Sequence, residues 1–425
     1  MSTTCARGLT PVRAVLDNGA VVIAQETSMT PAVTISAEFR AGSRFDPPGL
    51  EGRAYLAGLV IDRGTIRRSA STLAEELDDR GVSLKVSTNR HALTLSCTCL
   101  SEDFEDILAI VADVARNPVF HEVEIEKRRA EAVTVLRQRA DNPGARAADA
   151  MMELLYPPNH PYSRPSKGSV AGVERVTRDD VVSFHARYLI PSALSLVIVG
   201  DVPAPAAIER AVRELDGWTG AGSPAVDVRP VPGRSSRSQV VVNMPGKPQA
   251  DVLYGFTTVR RTDPAYYPVW MMNHVLGQFG LGGRLADNIR ERQGMAYYAF
   301  SSLDALPLEA PLLIRAGVDP AHVPRALAAI DHEVALMAAT GPAAAELEET
   351  RAYLVGSIPR MLETNQSIAA FLQTVEEFGL GPDFDRRLPA ILESVTLDEV
   401  RAAAARSLDV HRAAIAVAGP QEDRG

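Results

Sequence analysis

The feature that most constrains the fold of this chain is a weak repeat between its two halves. Val176-Thr-Arg-Asp-Asp-Val181 precedes the apolar run Leu194–Gly200, and Val395-Thr-Leu-Asp-Glu-Val400 precedes Ala413–Gly419. A threonine followed by acidic residues is typical of a helix start, because its hydroxyl accepts from first-turn amides and the carboxylates complement the helix dipole. Both segments therefore predict a helix followed by a β-strand that ends at glycine. Two such segments about 220 residues apart indicate two halves with the same fold.

The boundary between the halves is marked by composition. A chain of 425 residues is too long for one ordinary hydrophobic core. Residues 219–238 are rich in Gly, Pro and Ser and lack hydrophobic periodicity, which predicts an extended linker. We therefore expect an N-terminal domain at residues 1–218 and a C-terminal domain at residues 239–425.

Within each half, strand patterns alternate with helix patterns. Apolar runs predict strands at Ala20–Ala24, Ala32–Phe39, Gln239–Asn243, Val252–Phe256 and Leu312–Gly317. Helical periodicity appears at residues 104–114, 267–276 and 323–338. The combination predicts an α+β fold in which each half is a mostly antiparallel sheet with helices packed on one face.

Composition excludes several classes of protein. The net charge of −9 argues against a broad nucleic-acid-binding surface, and no apolar run reaches membrane-spanning length. The first seven residues lack an apolar segment, so the cytoplasm is the expected location, with periplasmic export less favoured. The three cysteines do not make a disulfide framework. Cys97 and Cys99 lie two apart in an alternating run, which predicts a buried pair on one strand face.

The most informative segment is Asn273–Tyr297, where a helix, a glycine loop, a second helix and a strand are predicted in succession. The loop glycines are Gly280, Gly282 and Gly283. Gly294 fits the left-handed position that closes a helix. Arg290 at the end of the second helix and Tyr297 in the strand can therefore approach each other across a tight turn.

This segment resembles the second domain of pitrilysin-like (insulinase-like) zinc peptidases, and the similarity extends along nearly the whole chain. The family pattern is a glycine-containing loop, a short helix and then Leu/Ile-Arg-Glu-x-x-Gly-x-x-Tyr. The resemblance implies two homologous domains facing each other across a cavity. It also implies that Arg290 holds a peptide carbonyl and that Tyr297 donates to a developing oxyanion. Arg284 and Arg292 compete for the first role, and a helix-capping arginine with a half-buried tyrosine is the structural alternative.

The zinc motif of active family members is missing. These proteins carry His-x-x-Glu-His on the first helix, with two histidine ligands on one helix face and a glutamate that activates water. Here the ligand positions read Tyr55 and Leu59, the base position reads Gly58, and the third ligand position falls near Val135. The resemblance thus implies that this chain binds no metal and that zinc is held by a partner subunit.

These observations predict the noncatalytic, substrate-binding subunit of a heterodimeric zinc metallopeptidase. Its expected partners are a catalytic family member with His-x-x-Glu-His and peptide substrates. The glycine loop is either a substrate contact, as in the noncatalytic mitochondrial processing subunits that this chain resembles, or a plain turn. The alternatives are a structural subunit of the respiratory-complex core type and a peptide-binding or cofactor-maturation accessory protein. Retention of Arg290 and Tyr297 argues against a scaffold, which needs neither residue.

Overall fold

The computed structural model describes residues 8–220, 222, 230–278 and 282–420. These residues form two compact units. Unit 1 contains the described residues of Met1–Leu136, Pro165–Asp227 and Ile358–Arg387, and unit 2 those of Arg137–Arg164, Val228–Ser357 and Leu388–Gly425. The segment Pro165–Asp227 of unit 1 and the segment Val228–Ser357 of unit 2 thus meet within the predicted linker. Each unit also includes a shorter segment from the other half of the sequence.

The described residues of unit 1 form a six-stranded sheet in the order β1-β2-β6-β3-β5-β4. Its strands are β1 (Val12–Val15), β2 (Val21–Glu26), β3 (Ala32–Phe39), β4 (Lys85–Thr88), β5 (Leu93–Leu100) and β6 (Leu194–Gly200). Those of unit 2 form a five-stranded sheet in the order β7-β11-β8-β10-β9. Its strands are β7 (Ser238–Asn243), β8 (Ala250–Thr257), β9 (Ala296–Leu303), β10 (Pro311–Val318) and β11 (Ala414–Gly419).

Helices make up much of the remaining described chain. In the first half they are α1 (Arg53–Val60), α2 (Ala70–Asp78), α3 (Phe104–Arg116), α4 (Glu122–Ala140), α5 (Pro143–Leu155), α6 (Val170–Arg175), α7 (Arg178–Tyr188) and α8 (Ala204–Leu215). In the second half they are α9 (Tyr266–Asn273), α10 (Val323–Thr340), α11 (Ala344–Met361), α12 (Asn365–Glu377), α13 (Phe384–Ser394) and α14 (Leu397–Ser407). Two π-helical segments, His274–Gln278 and Ala286–Arg292, follow α9. Among the described residues, no helix combines the length and apolarity needed to cross a membrane.

The two sheets share one topology, which confirms the predicted α+β class and the repeat. Strands β2, β6, β3, β5 and β4 occupy the same places as β7, β11, β8, β10 and β9. The first two neighbours in this shared order, β2 with β6 and β7 with β11, are parallel. The other neighbouring strands in the shared order are antiparallel. The helices before β6 and β11 each begin with a capping box, at Thr177 with Asp180 and at Thr396 with Glu399. The repeat therefore corresponds to one helix–strand step used in both units.

Each sheet is covered on its second face by a helix from the other half of the sequence. In unit 1, Ile23, Val197 and Val199 pack against α12, whereas the alternate residues of the same strands face the main core. Gln373 of α12 adds polar contacts, because its Nε2 donates to the carbonyl oxygens of Ser36 at 2.9 Å and Ser195 at 3.0 Å. In unit 2, α5 takes the corresponding place. Its Met151 and Leu155 pack with Leu253, Leu313 and Ala416.

Cys97 and Cys99 are free thiols and lie buried on one face of β5, as the alternating pattern predicts. Burial raises the pKa of Cys97 to about 12 and that of Cys99 to about 11, so both thiols stay protonated at neutral pH. Because the thiolate is the reactive form, neither should react with a disulfide reagent such as DTNB in the native protein. The measurement uses a Cys5→Ser variant. We expect no fast phase without denaturant and two reactive thiols after unfolding, and rapid labelling of either cysteine in the native state would contradict this.

Candidate functional site

Helix α1, which carries the positions predicted to have lost the zinc ligands, is anchored at both ends. Asp46 is buried, and its two carboxylate oxygens accept the amides of Gly52 and Ala54, each at 2.9 Å. Beyond the other end, the hydroxyl of Thr65 donates to Asp113 at 2.7 Å. These contacts satisfy amides that a helix N-terminus leaves unpaired and join the segment after α1 to α3.

The positions predicted to have lost zinc ligands lie in apolar surroundings. Tyr55 and Leu59 pack against a buried cluster whose members are Ala132, Val133, Leu136 and Val173. Burial raises the pKa of Tyr55, so its phenol stays protonated. Val135 is half-buried on α4. The contacts made by α1 and α4 here are therefore those of hydrocarbon packing.

At the base position, a side chain would require the Thr88 hydroxyl to move. A Cβ atom on Gly58 would lie 2.4 Å from Oγ1 of Thr88 on the edge strand β4. The nearest carboxylate in sequence to the third ligand position is Glu131, and it accepts from Arg128 at 2.6 Å on the exposed side of α4. Within the described ranges, no group of three or more His, Cys, Asp or Glu residues is placed to hold a metal ion.

Arg290 and Tyr297 flank the turn that the sequence predicts. Gly294 has φ +63°, and its amide donates to the carbonyl of Arg290 at 3.1 Å, which closes the π-helical segment. Tyr297 then lies in the second position of β9, the edge strand of its sheet. Its side chain is 78% exposed, and that of Arg290 is 41% exposed. Both side chains are therefore accessible from solvent. In the part of the chain that the structure describes, no hydrogen bond joins them.

The two competing arginines have structural partners. Nε and Nη2 of Arg284 donate to the two carboxylate oxygens of Glu346 at 2.7 and 2.6 Å, and this pair is only partly exposed. The hydrogen bonds that Arg284 donates to Glu346 raise the pKa of Arg284 above its ordinary value. Arg292 pairs with Asp287 at 2.6 Å. Arg290 approaches Glu291 only at 3.6 Å, so it is the least committed of the three.

The loop glycines differ in their surroundings. Gly280 lies outside the described residues. Gly282 is exposed, whereas Gly283 is buried against Gly277. A Cβ on Gly283 would lie 2.6 Å from the Cα of Gly277, so close backbone packing at the loop base accounts for this glycine.

A hydrogen-bonded series behind the turn was not predicted from the sequence. Nε of Arg325 donates to Gln293 at 3.0 Å, Nε2 of Gln293 donates to Asn288 at 2.7 Å, and Nδ2 of Asn288 donates to Glu333 at 2.6 Å. We call these four residues the amide chain. Asn288 lies in the second π-helical segment, Gln293 follows that segment directly, and Arg325 and Glu333 lie on α10. Polar residues at this spacing are ordinary on helix surfaces, so no local pattern distinguishes them.

Comparison with known families matches both halves of the chain. Residues 21–159 match the model described as insulinase (peptidase family M16), and residues 175–354 match the model described as peptidase M16 inactive domain. Curated relatives include an uncharacterised zinc protease of Mycobacterium leprae, 25% identical over 417 residues, which cover 98% of this chain and 93% of that protein. Another, from Mycobacterium tuberculosis, is 26% identical, with 98% and 94% covered.

Solved structures share the fold over almost the whole chain. A peptidase M16 inactive domain from Pseudomonas fluorescens superposes with a TM-score of 0.90 at 22% identity, covering 98% of this chain and 99% of that chain. A Helicobacter pylori protease gives 0.90 at 17% identity, with 97% and 100% covered. The periplasmic protease PqqL of Escherichia coli gives 0.79 at 18% identity, covering 98% of this chain but 46% of that one. At these identities the superpositions establish the fold.

Proposed function

Because the chain belongs to the insulinase family of peptidases (M16), we propose that it is the noncatalytic, substrate-binding subunit of a heterodimeric zinc peptidase. In this assembly the zinc is held by a catalytic partner that carries His-x-x-Glu-His. This chain contributes Arg290 and Tyr297, which bind the peptide beside the scissile bond.

The observation that supports the proposal most is the contrast between two surfaces. At the former metal positions, Tyr55 and Leu59 are packed against hydrocarbon, and neither residue offers an imidazole or carboxylate ligand. Zinc does not fit this set of side chains. Arg290 and Tyr297, in contrast, are exposed beside a well-formed turn. Arg290 approaches Glu291 only at 3.6 Å, so an exposed polar pair is available for a ligand.

The chemistry of the two side chains suits an extended peptide whose carbonyl is under attack. The guanidinium of Arg290 presents several N–H donors in one plane and can hold a carbonyl or carboxylate oxygen. The hydroxyl of Tyr297 can donate to the oxygen on which negative charge develops. The partner's metal would supply the activated water. Of the loop glycines, the exposed Gly282 contacts the substrate in this proposal. Gly283 instead packs against the backbone of Gly277.

Reconstitution tests the proposal. The purified chain should contain no stoichiometric zinc by mass spectrometry and should not cleave a mixed library of internally quenched fluorogenic peptides. Adding the catalytic family member that co-purifies with it should produce chelator-sensitive cleavage. The two controls are each chain alone and the partner with its glutamate base replaced by glutamine.

Each contrary outcome identifies another role. Chelator-sensitive cleavage by the lone chain would overturn the proposal. A complex that forms but cleaves nothing would favour the structural subunit. Peptide binding without any catalytic partner would favour the accessory protein. The proposed cytoplasmic location is tested separately by cell fractionation.

A further inference from the structure

The amide chain behind the Arg290 turn has a defined direction. Each side-chain amide in it both accepts and donates: the carbonyl of Gln293 accepts from Arg325 and its NH₂ donates to Asn288, whose own NH₂ donates to Glu333. The series therefore runs from a cation to a carboxylate, with both amide dipoles aligned between them. Such aligned hydrogen bonds polarise and strengthen one another, and reversing either amide would place like groups face to face.

The carboxylate end of the amide chain is buried. Glu333 on α10 is only 7% exposed. A buried carboxylate destabilises the fold unless a donor is hydrogen-bonded to it. Asn288 supplies that donor at 2.6 Å. The second π-helical segment is thereby attached to α10, an element with a regular backbone.

In the sequence, Arg290 lies between Asn288 and Gln293, the two side-chain amides of the amide chain. The backbone amide of Gln293 donates to the carbonyl of Asn288 at 3.1 Å, and that of Met295 donates to the carbonyl of Ile289 at 3.3 Å. These two backbone hydrogen bonds fix the path of the backbone from Arg290 into β9. The side chains of Asn288 and Gln293 hold the same turn from the side of α10.

We propose that Asn288, Gln293 and Glu333 are positioning residues that hold Arg290 in the geometry needed for transition-state binding. This inference rests on the proposed function and adds residues to its site. None of the three contacts the peptide in the proposed complex. Their effect acts through Arg290, because a misplacement of a binding group by about 1 Å costs a large part of its contribution to the rate.

An Asn288→Asp substitution tests the inference with almost no change in volume. The new carboxylate cannot donate to Glu333, and it places a second negative charge beside it. In the reconstituted complex, assayed with the quenched peptide library, we expect kcat/KM to fall about tenfold. The double variant Asn288→Asp/Glu333→Gln should recover most of that loss, because the amide introduced at position 333 donates to the carboxylate introduced at position 288. Gln239→Glu, on an exposed face of the same unit, is the control for added charge.

Two further readouts separate positioning from general stability. In an Arg290→Ala background, Asn288→Asp should cause no further loss, since there is no guanidinium left to position. Hydrogen exchange of the lone chain should increase at residues 290–297 in Asn288→Asp and return towards wild type in the double variant. If the single variant folds poorly, Glu333→Gln alone keeps the test, because its amide carbonyl still accepts from Asn288 and should preserve activity.

The outcomes distinguish this inference from the proposed function. Wild-type activity in Asn288→Asp, together with a strong loss in Arg290→Ala, would overturn the positioning role and leave the proposed function standing. Additive losses in the double variant with Arg290→Ala would also overturn it. Full activity in Arg290→Ala would overturn the proposed function, and with it the reason for positioning.

Discussion

Replacing Arg290 with alanine is expected to lower kcat/KM of the reconstituted peptidase by about 100-fold or more, the usual effect of removing one transition-state donor. The lone chain should keep its melting temperature, because the Arg290 side chain is substantially exposed and approaches Glu291 only at 3.6 Å. Tyr297→Phe should reduce kcat in the same way through loss of a single hydroxyl donor. The measurement is steady-state cleavage of a fluorogenic peptide, with complex formation followed by size-exclusion chromatography.

The matched control for Arg290 is Arg292→Ala. Arg292 is on the same segment and is 74% exposed, but its charge is engaged by Asp287 at 2.6 Å. We expect the Arg292 variant to stay within about twofold of wild type, as for exposed ion pairs in general. Equal losses in both variants would indicate a general electrostatic effect rather than a specific contact. Full activity of both Arg290→Ala and Tyr297→Phe would remove the site assignment.

The second large effect is expected in unit 1, where Asp113→Ala should lower the free energy of unfolding by about 3 kcal/mol, at the lower end of the range for breaking a buried charge pair. The carboxylate side chain is 2% exposed. It accepts from Thr65 at 2.7 Å, from Arg68 at 2.7 Å and from Asn117 at 2.9 Å. Its removal takes this acceptor away from Thr65, Arg68 and Asn117 and releases the segment that follows α1, although Arg68 keeps its ion pair with Glu76 at 2.9 Å.

The same group makes unit 1 sensitive to acid. Burial acts to raise the pKa of Asp113, but hydrogen bonds from Asn117, Thr65 and Arg68 outweigh it and hold that pKa below its usual value. A carboxyl with a lowered pKa stabilises the folded state above its unfolded pKa of about 3.9, and this contribution is lost as the pH falls through the folded value. The difference in stability between wild type and Asp113→Ala should therefore narrow below about pH 4.

Trp218 provides a local probe for this measurement. The sequence has two tryptophans, and Trp218 is buried in unit 1 with its ring centroid 5.9 Å from that of Phe39. Its fluorescence in a Trp270→Phe background reports urea unfolding of unit 1. The control is Asp106→Ala on the same helix α3, whose side chain is 68% exposed beside Arg80 and whose loss should change stability by less than about 1 kcal/mol. A similar effect of both substitutions would contradict the importance assigned to Asp113.

Several parts of the site were predictable because they depend on local backbone chemistry. Gly294 adopts the left-handed conformation that its place between a helix and a strand requires. Leu285 and Ile289 are four residues apart, the spacing that places two side chains on one face of a helix, and both are fully buried. The helix–strand repeat could be recognised because N-cap threonines and alternating apolar runs are short-range signals. The absence of ligand side chains at Tyr55, Gly58, Leu59 and Val135 also follows from the sequence alone, given the resemblance.

Other features needed the tertiary structure. The pairing of Arg284 with Glu346 joins residues far apart in the chain and removes one competitor for the peptide-binding role. The amide chain likewise connects Asn288 to Glu333 across two elements. Nothing in the local sequence of either residue indicates its partner, since hydrogen-bond pairing between elements depends on their relative placement. The exposure of Tyr297 was also undecided, because a tyrosine near a strand end suits a half-buried position equally well.

By itself the sequence determined the α+β class, the duplicated helix–strand step and the family resemblance, and it predicted that the zinc positions of the family hold no residue able to bind the metal. These depend on residue identity and on periods of a few residues. Only the tertiary structure decided that α5 and α12 each cover a sheet built mainly from the other half of the chain. The apolar stripe of a helix indicates that this face must be buried, but it does not identify the sheet that covers it. Burial against any complementary apolar face would lower the free energy of the folded state.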